Sequence, residues 1–237
     1  MNWVFDVDGT LTPSRRPMAK EFANWFEHFA THNAVYFVTG SDRSKTIEQI
    51  PTPIYNLAQR VYQCNGNSIY EQDRLIYEID WKLPDDVWKH LESWLNRSSW
   101  SSLTGKHFDE RPGFCNFSVL GRNATPAQRK EYNKWDIDQH ERVSIAYEIN
   151  YYFSDKYNIE AVVAGETGVD IYPKGCDKSQ ILKDFDPKSI LFFGDRTTKG
   201  GNDYPLAKAL GAKKVYPVDN WRHTWQILRN LTSDSQL

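Results

Sequence analysis

Two carboxylates lie two residues apart near the start of the chain. The segment Phe5-Asp6-Val7-Asp8-Gly9-Thr10-Leu11-Thr12 follows a short apolar run, Asn2–Phe5. If that run is a strand, Asp6 and Asp8 project from its end into one pocket. Gly9 lets the chain turn and Thr10 adds a hydroxyl. Such a pair can transfer phosphoryl groups. One carboxylate attacks phosphorus and becomes an aspartyl-phosphate. The other protonates the leaving oxygen and later takes a proton from the incoming nucleophile. On this reading Asp6 is the nucleophile and Asp8 the general acid/base. Taken alone, the same residues also read as an Asp-Gly turn that ends a strand.

Three further segments favour the chemical reading. Ile190-Leu191-Phe192-Phe193-Gly194-Asp195 is a second apolar run ending in a carboxylate, and Gly200-Gly201-Asn202-Asp203 follows it. Carboxylates at two strand ends can form an oxygen site for Mg²⁺, which prefers one or two carboxylates completed by water and phosphate oxygens. Asp6 and Asp195 are the expected direct ligands, the Asp8 backbone carbonyl is a third, and Asp203 belongs to the same acidic set. Val38-Thr39-Gly40-Ser41-Asp42 places the Thr39 and Ser41 hydroxyls at another strand end, suited to a phosphate oxygen. Lys174-Gly175-Cys176-Asp177-Lys178 brings lysine before a helix, where it can neutralise phosphoryl and carboxylate charge.

These residues need a scaffold that gathers strand ends. Short apolar runs at Asn2–Phe5, Ala34–Val38, 61–63 and 190–193 read as buried parallel strands. Helical patterns at 18–31, from 44, at 203–210 and at 221–231 alternate with them, and 214–216 reads as another strand. The expected fold is a doubly wound α/β sheet with its chemistry at the carboxyl ends of the strands. The middle of the chain differs. A Trp-rich helix at 84–95, a strand at 115–120 and one long polar helix from 126 to about 155 read as an inserted α+β domain. The expected division is 1–82 with 166–237 as a catalytic core and 83–165 as the insert. Residues 232–237 read as a frayed tail.

Bulk properties exclude several classes. The 237 residues carry a formal net charge of −2 with a pI near 6.3, so no basic surface argues for a nucleic acid or an anionic membrane. No apolar stretch is long enough to span a bilayer, and an acidic residue at position 6 argues against a secretory signal. Cys64, Cys115 and Cys176 lack metal-type spacing and fit a reducing cytoplasm as small buried residues. Most of the nine tryptophans fall on apolar helix faces such as Trp25/Phe26/Phe29 and Trp88/Leu91/Trp94/Leu95.

The order Asp-x-Asp-Gly-Thr, a strand-end hydroxyl, a lysine, then Gly-Asp followed by Gly-Gly-Asn-Asp resembles the haloacid dehalogenase superfamily. The opening Phe5-Asp6-Val7-Asp8-Gly9-Thr10-Leu11-Thr12-Pro13-Ser14-Arg15 is more specifically similar to the eukaryotic-type phosphomannomutase family. So are Asn65-Gly66, Arg111-Pro112-Gly113-Phe114-Cys115-Asn116, Gly121-Arg122, Gly175-Cys176-Asp177-Lys178, and Phe192-Phe193-Gly194-Asp195-Arg196-Thr197 through Gly200-Gly201-Asn202-Asp203.

The resemblance implies a hexose phosphate bound between a Rossmann-like core and a cap formed by the insert. It implies Mg²⁺ as cofactor and a hexose 1,6-bisphosphate as activator. A homodimer through the cap is consistent with it. Arg15, Arg111, Arg122 and Arg129 match the family's substrate arginines, and Asp170 matches a substrate-binding acid. Arginine forks suit this task because they pair bidentately with phosphate. Arg122 and Arg129 bracket a helix start at Thr125-Pro126, where anions bind. The chain departs from the family at Gly168, where a serine is usual, at Lys174 and Cys176, and at Thr39, where glycine is common. The implied reaction converts mannose 6-phosphate to mannose 1-phosphate through phospho-Asp6. The alternative is a sugar-phosphate phosphatase, in which water resolves the same intermediate. A third reading, a non-catalytic phosphosugar-binding protein, requires a lost nucleophile or acid, and both aspartates are present.

Overall fold

The computed structural model describes residues 1–233. In chain order the elements are β1 (Asn2–Phe5), α1 (Lys20–His32), β2 (Ala34–Val38), α2 (Arg43–Gln49), α3 (Thr52–Leu57), β3 (Arg60–Gln63), β4 (Ser68–Glu71) and β5 (Arg74–Glu78). Then come α4 (Asp85–Arg97), β6 (Phe108–Arg111), β7 (Phe114–Phe117), α5 (Pro126–Gln139), α6 (Glu141–Tyr157), β8 (Ile159–Ala164) and β9 (Gly168–Pro173). The chain closes with β10 (Ile190–Gly194), α7 (Tyr204–Leu210), β11 (Val215–Pro217) and α8 (Trp221–Ser233). They fall into two compact units, Met1–Glu78 with Gly175–Leu237, and Ile79–Lys174.

The first unit holds a seven-stranded sheet of order β11-β10-β1-β2-β3-β4-β5. Its first five strands are parallel, and β4 and β5 add an antiparallel hairpin. Helices cover both faces, so apolar residues run continuously along β1, β2 and β10 rather than alternating with polar ones. Phe5 points into a cluster with Phe22, Phe26, Phe37, Val61, Phe193 and Trp221. Its neighbour Val4 points the other way, to Val38, Tyr62, Ile181, Phe192 and Leu206. The Phe5 ring stacks on Phe193 with centroids 4.9 Å apart, which locks β1 against β10. Burying each such ring contributes about 1.5–3 kcal/mol. In α1 the buried residues Phe22, Ala23, Phe26, Phe29 and Ala30 form one helical stripe. That helix ends at Asn33, whose side-chain amide donates to the Phe29 carbonyl at 2.9 Å.

Moving out from β1, the chain runs to β2 and β3 on one side and to β10 and β11 on the other. The order therefore reverses between β1 and β10. In such sheets the crevice at the carboxyl ends beside the reversal is where ligands bind.

The second unit is a four-stranded antiparallel sheet, β6-β7-β9-β8, with α4, α5 and α6. It is wider than the 83–165 expected from sequence, because β9 pairs with both β7 and β8. The single long helix expected from 126 is two helices. His140 adopts a left-handed conformation, φ 55° and ψ 30°, and breaks it. The Asp136 carboxylate then accepts from both the backbone N–H and the Nε of Arg142, at 2.8 and 2.7 Å. It thereby serves as the amino-terminal cap that α6 lacks at His140. The strand expected at 115–120 is Phe114–Phe117, and the one expected at 214–216 is Val215–Pro217. Thr232 and Ser233 belong to α8 rather than to a tail, and 234–237 lie outside the described residues. Among the described residues no helix is long and apolar enough to cross a membrane.

Candidate active site

The register of the parallel sheet gathers the predicted acids. Phe5 pairs with Phe193 and with Phe37, so Asp6 leaves β1 between the ends of β10 and β2. Its N–H donates to the Phe193 carbonyl at 2.9 Å. Asp195 is the first residue beyond β10. Asp203 is fully buried just before α7. Ligand oxygens of Asp6, Asp195 and Asp203 all lie within 4.8 Å of one another.

Lys178 is buried among these groups. Its Nζ donates to Asp6 Oδ1 and to Asp203 Oδ1, both at 2.6 Å. It opens a tight 3₁₀ turn, Lys178–Asp184, capped by the Asp177 side chain on the Ser179 N–H. The charges do not balance: one ammonium faces three carboxylates. Burial works against charge on Lys178, but Asp203 and Asp6 outweigh it and hold the ammonium well above its ordinary range. Burial pushes Asp6 up to about 7; Lys178 pulls it back and the Asp203 charge adds to the rise. Burial and Asp203 also push Asp195 up to about 6. The cluster is short of positive charge.

A divalent cation fits this deficit. Asp6 Oδ2 is buried and has no hydrogen-bond partner among the described residues. The donors are all hard oxygens, as Mg²⁺ prefers. Space is reserved for them, since a Cβ on Gly9 would stand 2.4 Å from Asp195 Oδ2 and one on Gly194 would stand 2.7 Å from Asp203 Oδ2. Both oxygens of Asp203 are already engaged, one by Lys178 and the other by the Arg196 N–H at 3.0 Å. Asp6 and Asp195 are thus the acids with capacity left for an ion, and Asp203 anchors Lys178.

The Asp8 carboxylate is outside this acidic group. It turns toward α2, accepting from the Arg15 backbone N–H, from Gln49 Nε2 at 3.2 Å and from Lys45 Nζ at 3.5 Å. Lys45 and Gln49 are four apart, on one face of α2. Sequence reasoning missed both, since their spacing shows a shared helix face but not which strand end it meets. Arg15 contributes its backbone, at φ 57°, and its side chain is exposed. Thr39 and Ser41 are buried. The Ser41 N–H donates to Thr39 Oγ1 at 3.1 Å, and the Thr39 N–H and carbonyl bond to Tyr62 and Asn65. The hydroxyl-bearing loop is therefore sewn to the end of β3.

The second unit collects Arg111, Arg122 and Asp170 on one polar sheet face. Asp109 accepts from Arg111 and from Arg122, each at 2.6 Å. Arg122 Nη1 donates to Asn116 at 3.0 Å, and Asn116 donates to Asp170 at 2.6 Å. Burial raises the Asp170 pKa, against the Asn116 hydrogen bond and the charges of Arg111 and Arg122. The glycine at 168 has a local cause: a Cβ there would lie 2.4 Å from Asn116 Nδ2. Arg129, in the first turns of α5, pairs instead with Glu166 at 3.3 Å. Neither Asp109 nor Asn116 was singled out from the sequence as a site residue.

Solved structures share this architecture at low identity. A haloacid dehalogenase-like hydrolase from Bacteroides thetaiotaomicron aligns with a TM-score of 0.58 at 14% identity, covering 87% of this chain and 84% of that one. The C-terminal domain of the C. albicans trehalose-6-phosphate phosphatase aligns with a TM-score of 0.58 at 15% identity, covering 81% of this chain and 68% of that one. In fold the molecule is similar to these two proteins. Its sequence is more specific. The family model described as eukaryotic phosphomannomutase matches residues 22–231, and the chain belongs to that family. The phosphomannomutase of Saccharomyces cerevisiae is 30% identical over 213 residues, 86% of this chain and 83% of that protein. That of Arabidopsis thaliana is 30% identical over 228 residues, 91% of this chain and 92% of that protein.

Proposed function

We propose that the protein interconverts mannose 6-phosphate and mannose 1-phosphate through an aspartyl-phosphate on Asp6. The observation that carries this reading is the state of Asp6, buried at the sheet's reversal point with one oxygen on Lys178 and the other without a hydrogen-bond partner among the described residues.

An Asp6 oxygen attacks a phosphorus of a hexose 1,6-bisphosphate activator, and the bond from that phosphorus to the sugar oxygen breaks. Asp8 gives its proton to the departing sugar oxygen, which leaves as a hydroxyl. After a monophosphate of the other regiochemistry binds, Asp8 takes the proton of its free hydroxyl. That oxygen attacks the phosphoryl group and frees Asp6. Lys178 holds the nucleophile in place and offsets charge on the group in transit. Thr39 and Ser41 bind phosphoryl oxygens. When bound, a Mg²⁺ ion held by Asp6 and Asp195 supplies further positive charge beside the phosphoryl oxygens. Arg111, Arg122 and Arg129 bind the substrate phosphate that is not reacting and Asp170 binds the sugar; Arg15 is a further phosphate ligand. Assembly as a dimer through the second unit and a cytoplasmic setting for its free cysteines belong to the same reading.

³¹P NMR tests it, using protein, Mg²⁺, mannose 1-phosphate and a trace of hexose 1,6-bisphosphate. The mutase produces mannose 6-phosphate. Inorganic phosphate as the sole product would replace it with a sugar-phosphate phosphatase, in which water rather than a sugar hydroxyl relieves Asp6.

A further inference from the structure

The polar face of the second unit's sheet carries a row whose first member has no role in the reaction described above. Register places Asp109 of β6 opposite Asn116 of β7, and Asn116 opposite Asp170 of β9. Side chains alternate along a strand, so Arg111 shares the face of Asp109. The opposite face carries Cys115, Phe117, Val169 and Ile171 into the apolar core. The row is thus fixed by the backbone and not by chance surface rotamers.

Two guanidinium groups converge on one oxygen in that row. Asp109 Oδ2 accepts from Nη2 of Arg111 and from Nη2 of Arg122, at 2.6 Å each. The three side chains are partly buried, with 26% of Asp109, 20% of Arg111 and 34% of Arg122 exposed. Arg111 comes from the end of β6, whereas Arg122 lies in the segment between β7 and α5. Side by side without an intervening anion, the two cations repel and spread over many rotamers. A monodentate carboxylate cancels that repulsion while using one N–H of each guanidinium. Arg122 also donates to Asn116 at 3.0 Å, and each guanidinium has five N–H donors to distribute.

We infer that Asp109 is a positioning residue for phosphate recognition: it holds Arg111 and Arg122 together, oriented to receive the substrate phosphate that is not being transferred. The inference rests on the reading of these arginines as phosphate ligands and adds the group that organises them. Binding to donors already in place avoids the ordering cost that loose arginines incur. The effect of Asp109 on turnover therefore passes through Arg122.

The test compares Asp109→Ala, Asp109→Asn, Arg122→Ala and the double variant Asp109→Ala/Arg122→Ala. Mutase kcat and KM for mannose 1-phosphate are measured with Mg²⁺ and bisphosphate, and a thermal melt is recorded for each variant. Asp109→Ala is expected to lower kcat/KM about tenfold or more, mainly through KM, as misplaced binding groups do. Asp109→Asn keeps an acceptor oxygen in a closely matched shape but lacks the charge that offsets the two cations, and should recover only part of the loss. In the Arg122→Ala background, removing Asp109 should cost less than about threefold, because the partner it positions is already gone. A merely structural Asp109 would instead give equal losses in both backgrounds, in step with the melting temperature, and that result overturns the inference. So does Asp109→Asn as active as wild type, which would leave the carboxylate charge no part in holding the arginines, or a lower KM in either variant, which would make Asp109 a competitor of the phosphate. If Arg122→Ala loses nothing while turnover persists, the phosphate-grip reading itself fails, and the inference with it.

Discussion

At the scale of single residues, the site is defined by an imbalance of charge. Asp6, Asp195 and Asp203 share one lysine, and burial leaves Asp6 near 7 and Asp195 near 6. In the unfolded chain an aspartate titrates near 3.8. Between about pH 4 and 7 the folded, metal-free protein therefore binds more protons than the unfolded chain, so this cluster makes stability fall as pH rises through that window. Asp6→Asn removes the buried charge. The metal-free variant should melt above wild type at pH 8, and its advantage should vanish near pH 4. Melts at the two pH values in chelator check this, and an equal gap at both would show that ionisation of Asp6 is not the cause. The sequence exposed these acids because strand-end Asp residues carry a recognisable motif. It did not expose Lys45 and Gln49 as partners of Asp8, since an exposed-looking helix face gives no sign of which strand end it will meet.

At the scale of elements, short buried strands were legible because an apolar run ending at Gly or Asp has few other readings, as at Asn2–Phe5 and Ala34–Val38. The hairpin β4–β5 was not, because all five residues of β5 are exposed and its pattern carries no burial signal. The break between α5 and α6 was also hidden. Nothing in Asp138-Gln139-His140-Glu141 resembles the usual glycine stop, and the left-handed turn is imposed by the Asp136–Arg142 pair on either side of it. His140 already bears the roughly 1–2 kcal/mol cost of a left-handed backbone with a Cβ; His140→Val adds the crowding of a β-branched side chain and should destabilise the protein further. His140→Gly should be close to neutral. Urea unfolding of both variants measures the difference, and equal stability of the two would show that the turn is not held in the left-handed region.

At the scale of the whole molecule, the proposed mechanism divides its chemistry between two units: Asp6, Asp8, Asp195, Lys178 and Arg15 in the parallel-sheet unit, Arg111, Arg122, Arg129 and Asp170 in the other. The existence of an inserted unit was legible from its change of pattern. Its limits were not, because β9 pairs with β7, far back in the sequence. The division predicts a division of effects. Charge-assisted bonds from arginine to phosphate contribute roughly 1.5–3 kcal/mol each. Arg129→Ala should then reduce kcat/KM for mannose 1-phosphate roughly 10- to 150-fold. The ratio of that value to the one for p-nitrophenyl phosphate, which has no second end to hold, should drop by a similar factor. An unchanged ratio would assign Arg129 to its contact with Glu166 alone. The central claim, that phosphoryl groups pass through Asp6, is tested most directly by trapping the intermediate. Protein with Mg²⁺ is mixed with hexose 1,6-bisphosphate labelled with ³²P, quenched in acid and digested, and the labelled peptide is sequenced. The label should reside on the peptide containing Asp6, be released by hydroxylamine as acyl phosphates are, and be absent from Asp6→Asn. Label on any other residue, or retained by Asp6→Asn, would contradict the mechanism.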